Sequence, residues 1–288
     1  MLHSAYSVKL GDSVLAGVTR LDSQTNPEVE AEVGIGSQFP QFAVVRAVKP
    51  RIAFQTRAIA AALTALGTTG AAITALNKLL ANYVELENGA PSSSGIGYTL
   101  DAGLIFPRQL TVSHRKDAVL DIDSRSISTD GSTAPMTFGA ATIGTLTRDN
   151  LRHTLKSVTI AGITFDCNTD VTIDFGINAD TLGCNSNIYD SHVTQEGGVT
   201  PTITITTQDV AKLSQLTLDG KRGDVVVVLR QYDPSGIGFE ADDSNDITLT
   251  GKGISNFTNL TGDGNGIATG PIKTVCDWDG TNAPLTLS

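Results

Sequence analysis

Basic residues are scarce in this chain: 20 Lys and Arg stand against 30 Asp and Glu, a formal charge of −10 over 288 residues. A nucleic-acid binder would be expected to carry a basic stripe, so this balance argues against that function and favours repulsion of phosphate-rich partners. Cysteine is also scarce. Cys167, Cys184 and Cys276 are too few and too widely spaced for a disulfide framework or a metal site, which fits synthesis in a reducing cytoplasm. Trp278 is the single tryptophan and lies in a turn-like segment, so the aromatic cluster usual in a carbohydrate-binding module is missing. The most apolar stretch, "AIAAALTALGTTGAAITAL", is broken by Gly67, Gly70 and threonines and is too interrupted for a membrane span. The opening "MLHSAYSVKLGDSV" has neither a basic n-region nor an apolar run, so no export signal is expected.

The groups that carry chemistry are missing as well. His3, His114, His153 and His192 are scattered, with no H-E-x-x-H or Cys–His spacing. There is no G-x-S-x-G elbow, phosphate loop or dinucleotide fingerprint. "SGIGY" (94–98) and "SGIGF" (235–239) lie among strands and read as tight turns or bulges. The oxygen-rich "GFEADDSNDITL" and "TGDGNG" miss the calcium-loop ligand pattern and read as solvated turns. Asp121 and Asp123 in "LDIDS" read as a solvent-facing strand. "NFT" and "NLT" would be glycosylation acceptors only in a secreted chain. The expectation is a protein that is not an enzyme, with no catalytic, cofactor-binding or metal-ligating residues.

What the chain does have is alternation. Apolar residues make up 40% and charged residues 17%, and several segments rich in Thr, Ile and Val alternate apolar with polar. That pattern predicts a globular, mainly β protein. It is also written twice. "EVEAEVG" (28–34) matches "DVTIDFG" (170–176), and "PRIAFQTRAIAAAL" (50–63) matches "PTITITTQDVAKLS" (201–214). "SGIGY" matches "SGIGF", and "DGSTAPMTF" (130–138) matches "DGTNAPLTL" (279–287). The matches keep one order at separations of roughly 140–150 residues. They predict two tandem modules, 5–140 and 153–288, joined by a linker at 141–152. Each module is expected to be a β-sandwich or half-barrel with one short flanking helix. In each copy a Pro-led strand leads to Thr56 or Thr207 at a helix N-cap, with Ile59 and Ala62, or Val210 and Leu213, on the buried stripe.

In "PEVEAEVG" the glutamates fall at every second position, so Glu28, Glu30 and Glu32 would form an acidic row on one strand face. Asp170 and Asp174 repeat it in the second copy. Val29, Val33, Val171, Ile173 and Phe175 are expected to face the core. The strands outnumber what one helix can cover, which leaves open edges suited to assembly.

The order of parts resembles the tail tube proteins of bacteriophages. An alternating strand precedes the strand-and-helix step "PRIAFQTRAIAAAL". Later come "FPRQLTVSHRKDAVLDIDSRSIS" and the closes "TDGSTAPMTF" and "WDGTNAPLTL". The resemblance covers nearly the whole chain through layout rather than an invariant signature. It implies a structural virion protein whose rings stack into the hollow tail that ejects DNA. Most of the family carries one module and forms hexameric rings. A fused pair implies a homotrimer with a pseudo-hexameric ring. The implied partners are further copies of the chain and other tail proteins such as the tape measure, terminator and baseplate or tip. Genomic DNA would pass through without specific binding, no membrane would be involved, and the tail would assemble in the host bacterial cytoplasm. Glu28, Glu30, Glu32, Asp170 and Asp174 would then face the lumen, because an acidic wall cannot hold a duplex that carries about one negative charge per ~1.7 Å. Another virion component (a terminator, baseplate hub or head decoration protein) and a tandem β-domain adhesin are the competing readings.

Overall fold

The computed structural model describes residues 3–142 and 152–288, apart from 16, 34, 37, 88–89, 185–186, 218, 234, 236 and 263–267. Most of the expected linker, 143–151, therefore lies outside the described residues, as does Gly34. The fold is mainly β, with antiparallel sheets and two short helices.

The first half runs β1 (His3–Leu10), β2 (Ser13–Leu15), β3 (Val18–Gln24), β4 (Pro27–Glu32), β5 (Phe42–Val48), β6 (Arg51–Thr56), α1 (Ile59–Leu66), β7 (Ala71–Ile73), β8 (Leu79–Glu87), β9 (Ala90–Leu100), β10 (Gly103–Ser113), β11 (Val119–Ser126) and β12 (Met136–Thr142). The second runs β13 (His153–Ile160), β14 (Ile163–Phe165), β15 (Asn168–Asp174), β16 (Ala179–Leu182), β17 (His192–Gln195), β18 (Thr202–Thr207), α2 (Val210–Leu213), β19 (Lys221–Gln231), β20 (Ile247–Phe257), β21 (Gly270–Cys276) and β22 (Leu285–Leu287).

One sheet is ordered β12-β9-β8-β1-β2 and lies wholly in the first half. The large sheet is ordered β14-β13-β19-β20-β21-β18-β15-β10-β11-β6-β3, so it crosses from one half to the other where β15 pairs with β10. The halves are thus joined edge to edge by backbone hydrogen bonds, not strung on a tether. Side chains add to the junction: Arg125 donates to the carbonyl of Ala179, and Thr68 to that of Leu285.

Alternation puts one face of the central strands of the large sheet in the core. In β6 and β18 every second residue is buried: Ile52, Phe54 and Thr56, then Ile203, Ile205 and Thr207. Val8, Leu79 and Leu100 from the five-stranded sheet join these residues and their second-half neighbours in one apolar cluster. Ile59, Ala62, Leu63 and Leu66 of α1 close it in the first half. Leu213 of α2 and Leu216 close it in the second, with Val210 partly buried against the cluster. Thr56 and Thr207 stand just before the N-cap positions Ala58 and Asp209 rather than at them. Each hydroxyl accepts the N–H two residues on, Ala58 or Asp209, and so turns the strand into its helix.

The two halves use the same order of pairings. The hairpin β1–β2 is matched by β13–β14, β1–β8 by β13–β19, β8–β9 by β19–β20, β9–β12 by β20–β22, β3–β6 by β15–β18 and β6–β11 by β18–β21. Even the bulges correspond. Register shifts lie between Ala5 and Ser7 and between Leu155 and Ser157, and again between Val18 and Arg20 and between Asn168 and Asp170.

This pairing corrects two of the sequence matches. The counterpart of β15 ("NTDVTID") by partner and register is β3 ("VTRLDSQ"), not the acidic β4. "SGIGY" lies inside β9, between β8 and β12, so it is strand rather than turn. "SGIGF" falls in the connection between β19 and β20, where Tyr232 bridges Phe239. Alternation and a glycine pair recur in any exposed β segment, so they match by chance where hydrogen-bond partners do not. The remaining two matches coincide with equivalent elements.

Candidate functional site: a polar sheet face and a projecting ribbon

Three candidate acidic residues sit on β4, which pairs only with β5 in a two-stranded ribbon among the described residues. Every residue of β4 is exposed. Val29 is 62% exposed and Val33 55%, which overturns the expectation that they face the core. Among the described residues no layer lies beneath the ribbon to bury them. The acidic row is also compensated: Arg46 on β5 donates to Glu30, and Lys49 stands 3.5 Å from Glu28. Glu32 is exposed at the end of the strand. Ile35, Phe39, Phe42 and Val45 extend the ribbon's exposed apolar surface. Val48 bridges to Tyr189 in the second half and roots the ribbon there.

Asp170 and Asp174 lie elsewhere, on β15 in the middle of the large sheet. Both are exposed, while Val171, Ile173 and Phe175 behind them are fully buried, as expected. Asp170 accepts a hydrogen bond from the Ser113 hydroxyl at 2.6 Å, and Asp174 accepts the Gly176 N–H at 2.8 Å. The five candidate acids therefore do not share one surface.

The strand registers define what surrounds Asp170 and Asp174. Arg20 is opposite Gln55, Gln55 opposite Asp121, Asp121 opposite Gln109, Gln109 opposite Asp174, Asp174 opposite Thr202 and Thr202 opposite Val275. One row of side chains thus crosses β3, β6, β11, β10, β15, β18 and β21 on the face away from the core. A parallel row runs through Thr111, Thr172, Thr204 and Lys273. On this face the cations Arg20, Arg51, Arg108 and Lys273 balance the anions Asp22, Asp121, Asp170 and Asp174, and Asp123, in the same pocket, is paired with Arg125. Threonine hydroxyls occupy much of the rest. The wall is polar and close to neutral rather than acidic. Sequence reasoning missed Arg20, Arg108 and Lys273 because each stands alone in its own segment; only the register brings them together.

Asp123 is not solvent-facing. It is buried beside Arg125, whose guanidinium donates at 2.8 Å, with Arg51 at 3.8 Å. In the oxygen-rich segment before β20, Lys156 pairs with Asp243 and Asp246, and these two contacts raise its pKa. "TGDGNG" falls largely outside the described residues. Cys167, Cys184 and Cys276 are free thiols; Cys276 is buried, which pushes its pKa up to about 11. Among the described residues no three His, Cys, Asp or Glu side chains converge so as to hold a metal ion, and no helix is long and apolar enough to cross a membrane. No protein-family model matches the chain, and no curated protein matches it.

Proposed function

We propose that the chain is a duplicated-module bacteriophage tail tube protein, a structural subunit that assembles into rings stacked as a hollow tube. The observation that carries this reading is the edge-to-edge junction of β10 with β15. Two halves with the same pairing order continue one sheet across that junction and present one polar face. A ring extends this arrangement to further copies; three chains would supply six modules. The polar face, with Asp170 and Asp174 on it, then lines the lumen. Its balanced charge and threonine hydroxyls offer a duplex few net phosphate contacts, so DNA passes without being held. The ribbon of β4 and β5 carries more apolar surface than a solvated hairpin needs, and it meets the next ring. In this reading the tape measure, terminator and baseplate or tip proteins complete the virion tail.

Electron microscopy of the purified protein in negative stain tests this proposal. Long tubes of uniform diameter are the expected result. Discrete particles that never stack, at any protein concentration, would overturn it in favour of another virion component.

A further inference from the structure

The junction inside the chain has two sides, and each side has an equivalent with no strand on its outer side among the described residues. β15 is one side; its equivalent by partner, register and bulge is β3. Among the described residues β3 pairs with β6 alone and ends the large sheet. β10 is the other side. Its end opposite β15 is Gln109–Leu110–Thr111–Val112–Ser113, with Thr111 across from Val119 of β11. In the second half, Gly253 faces Cys276 as Gly103 faces Ser126, and Thr261 bridges Thr269 as Thr111 pairs with Val119. Residues 259–262 are therefore the equivalent of 109–112, with no strand on their outer side among the described residues.

Exposure records the missing neighbours. Leu110 is fully buried, whereas its equivalent Leu260 is 51% exposed. Val171 and Ile173 are fully buried, whereas their equivalents Leu21 and Ser23 are only half-buried. An open edge with unpaired N–H and C=O groups templates a further strand. Here both edges needed for a known pairing are present on one molecule, β3 at the end of the large sheet and residues 259–262 just past β20.

We infer that residues 259–262 of one copy pair antiparallel with β3 of a second copy in the register that β10 and β15 use within the chain. Asn259 meets Gln24, Leu260 meets Ser23, Thr261 meets Asp22 and Gly262 meets Leu21. Leu260 and Leu21 then become buried as Leu110 and Val171 are. The contact is head-to-tail, so repeating it closes a ring in which junctions within and between chains are alike. It deepens the proposed function and rests on that reading only in requiring that copies of the chain associate.

Cysteine pairing tests the register in a background carrying C167S and C184S, which removes the exposed thiols. Paired strands bring opposite Cα atoms within disulfide range. The variant D22C/T261C is expected to give a ladder of disulfide-linked oligomers on a non-reducing gel after mild oxidation. The slipped pair S23C/T261C, one residue off and so on opposite faces, is expected to give at least tenfold less. Hydrogen exchange on the unsubstituted protein adds an independent reading: amides of β3 and of 259–262 should slow on assembly, with little change at the edge strand β14. Tubes without the D22C/T261C ladder would overturn this pairing and leave the tube reading standing. The ladder without tubes would uphold the pairing and overturn the tube. A protein that sediments as a monomer at every concentration would overturn both.

Discussion

Asp130 and Asp279 hold equivalent turns in the two halves. The N–H groups of Thr133 and Ser132 and the hydroxyls of Thr133 and Ser128 point at the Asp130 carboxylate. Asn282 and Thr281 N–H groups do the same at Asp279. These donors hold both carboxyls well below the usual carboxylate range, led by the Thr133 N–H at Asp130 and the Asn282 N–H at Asp279. A depressed folded pKa stabilises the fold above the unfolded value, near about 3.9, and that stability is lost as pH falls towards the folded value. D130A and D279A are therefore expected to lower the melting temperature at pH 7 and to converge on the unsubstituted protein in strong acid; calorimetry across pH checks this. This turn was legible in "DGSTAP" and "DGTNAP", because a local hydrogen-bond pattern is written in consecutive residues. The exposure of Val29 was not, because alternation says which residues share a face and not what lies beneath it. Val29 and Phe175 separate the two cases. F175A should cost about 3–5 kcal/mol as a cavity in the core. V29A should stay within about 0.5 kcal/mol. Denaturant titration of both variants measures the contrast.

At the scale of elements, the ribbon and the sheet corners are the parts whose roles depend on neighbours. Replacing Phe39 and Phe42 by serine should leave the melting temperature within a degree or two, since both side chains are exposed. It should abolish tube growth while rings persist, which electron microscopy would show. The corners behave in the opposite way. β20 passes from β19 and β22 to β21 through Gly251 and Gly253, where a Cβ would meet the Cys276 sulfur at 2.7 Å or collide with the Val275 carbonyl. Gly103, at φ +144°, sits equally close against the carbonyl of Arg125. Glycine at such a bend lets another backbone approach closely. G103A and G253A are thus expected to destabilise strongly, read as a large fall in melting temperature. G139A is the contrasting control, because a Cβ added at the exposed Gly139 would meet nothing within 4 Å. The step from β6 to α1 and from β18 to α2 was readable from Pro, alternation and threonine. The pairing of β4 with β5 was not readable: "FAVVRAV" is apolar except for Arg46, and only the ribbon brings that cation against Glu30.

For the whole molecule, the balance of charge on the polar sheet face predicts how an assembled particle treats DNA. Unsubstituted particles should retain no duplex at low salt. T172R together with T204R would add cations to the Thr111–Thr172–Thr204–Lys273 row and should create retention that weakens steeply as salt rises. A mobility-shift assay at several salt concentrations measures both. By itself the sequence determined the mainly β class, the alternating core of β6, β15 and β18, the helix entries and the closing turns, since each depends on residues a few positions apart. Only the tertiary structure decided that β3 and not β4 corresponds to β15, and that the acidic row stands on an exposed ribbon with its own cations. It alone also set Arg20, Gln55, Asp121, Gln109 and Asp174 side by side. Those facts rest on hydrogen-bond register between strands distant in sequence, which no local pattern specifies.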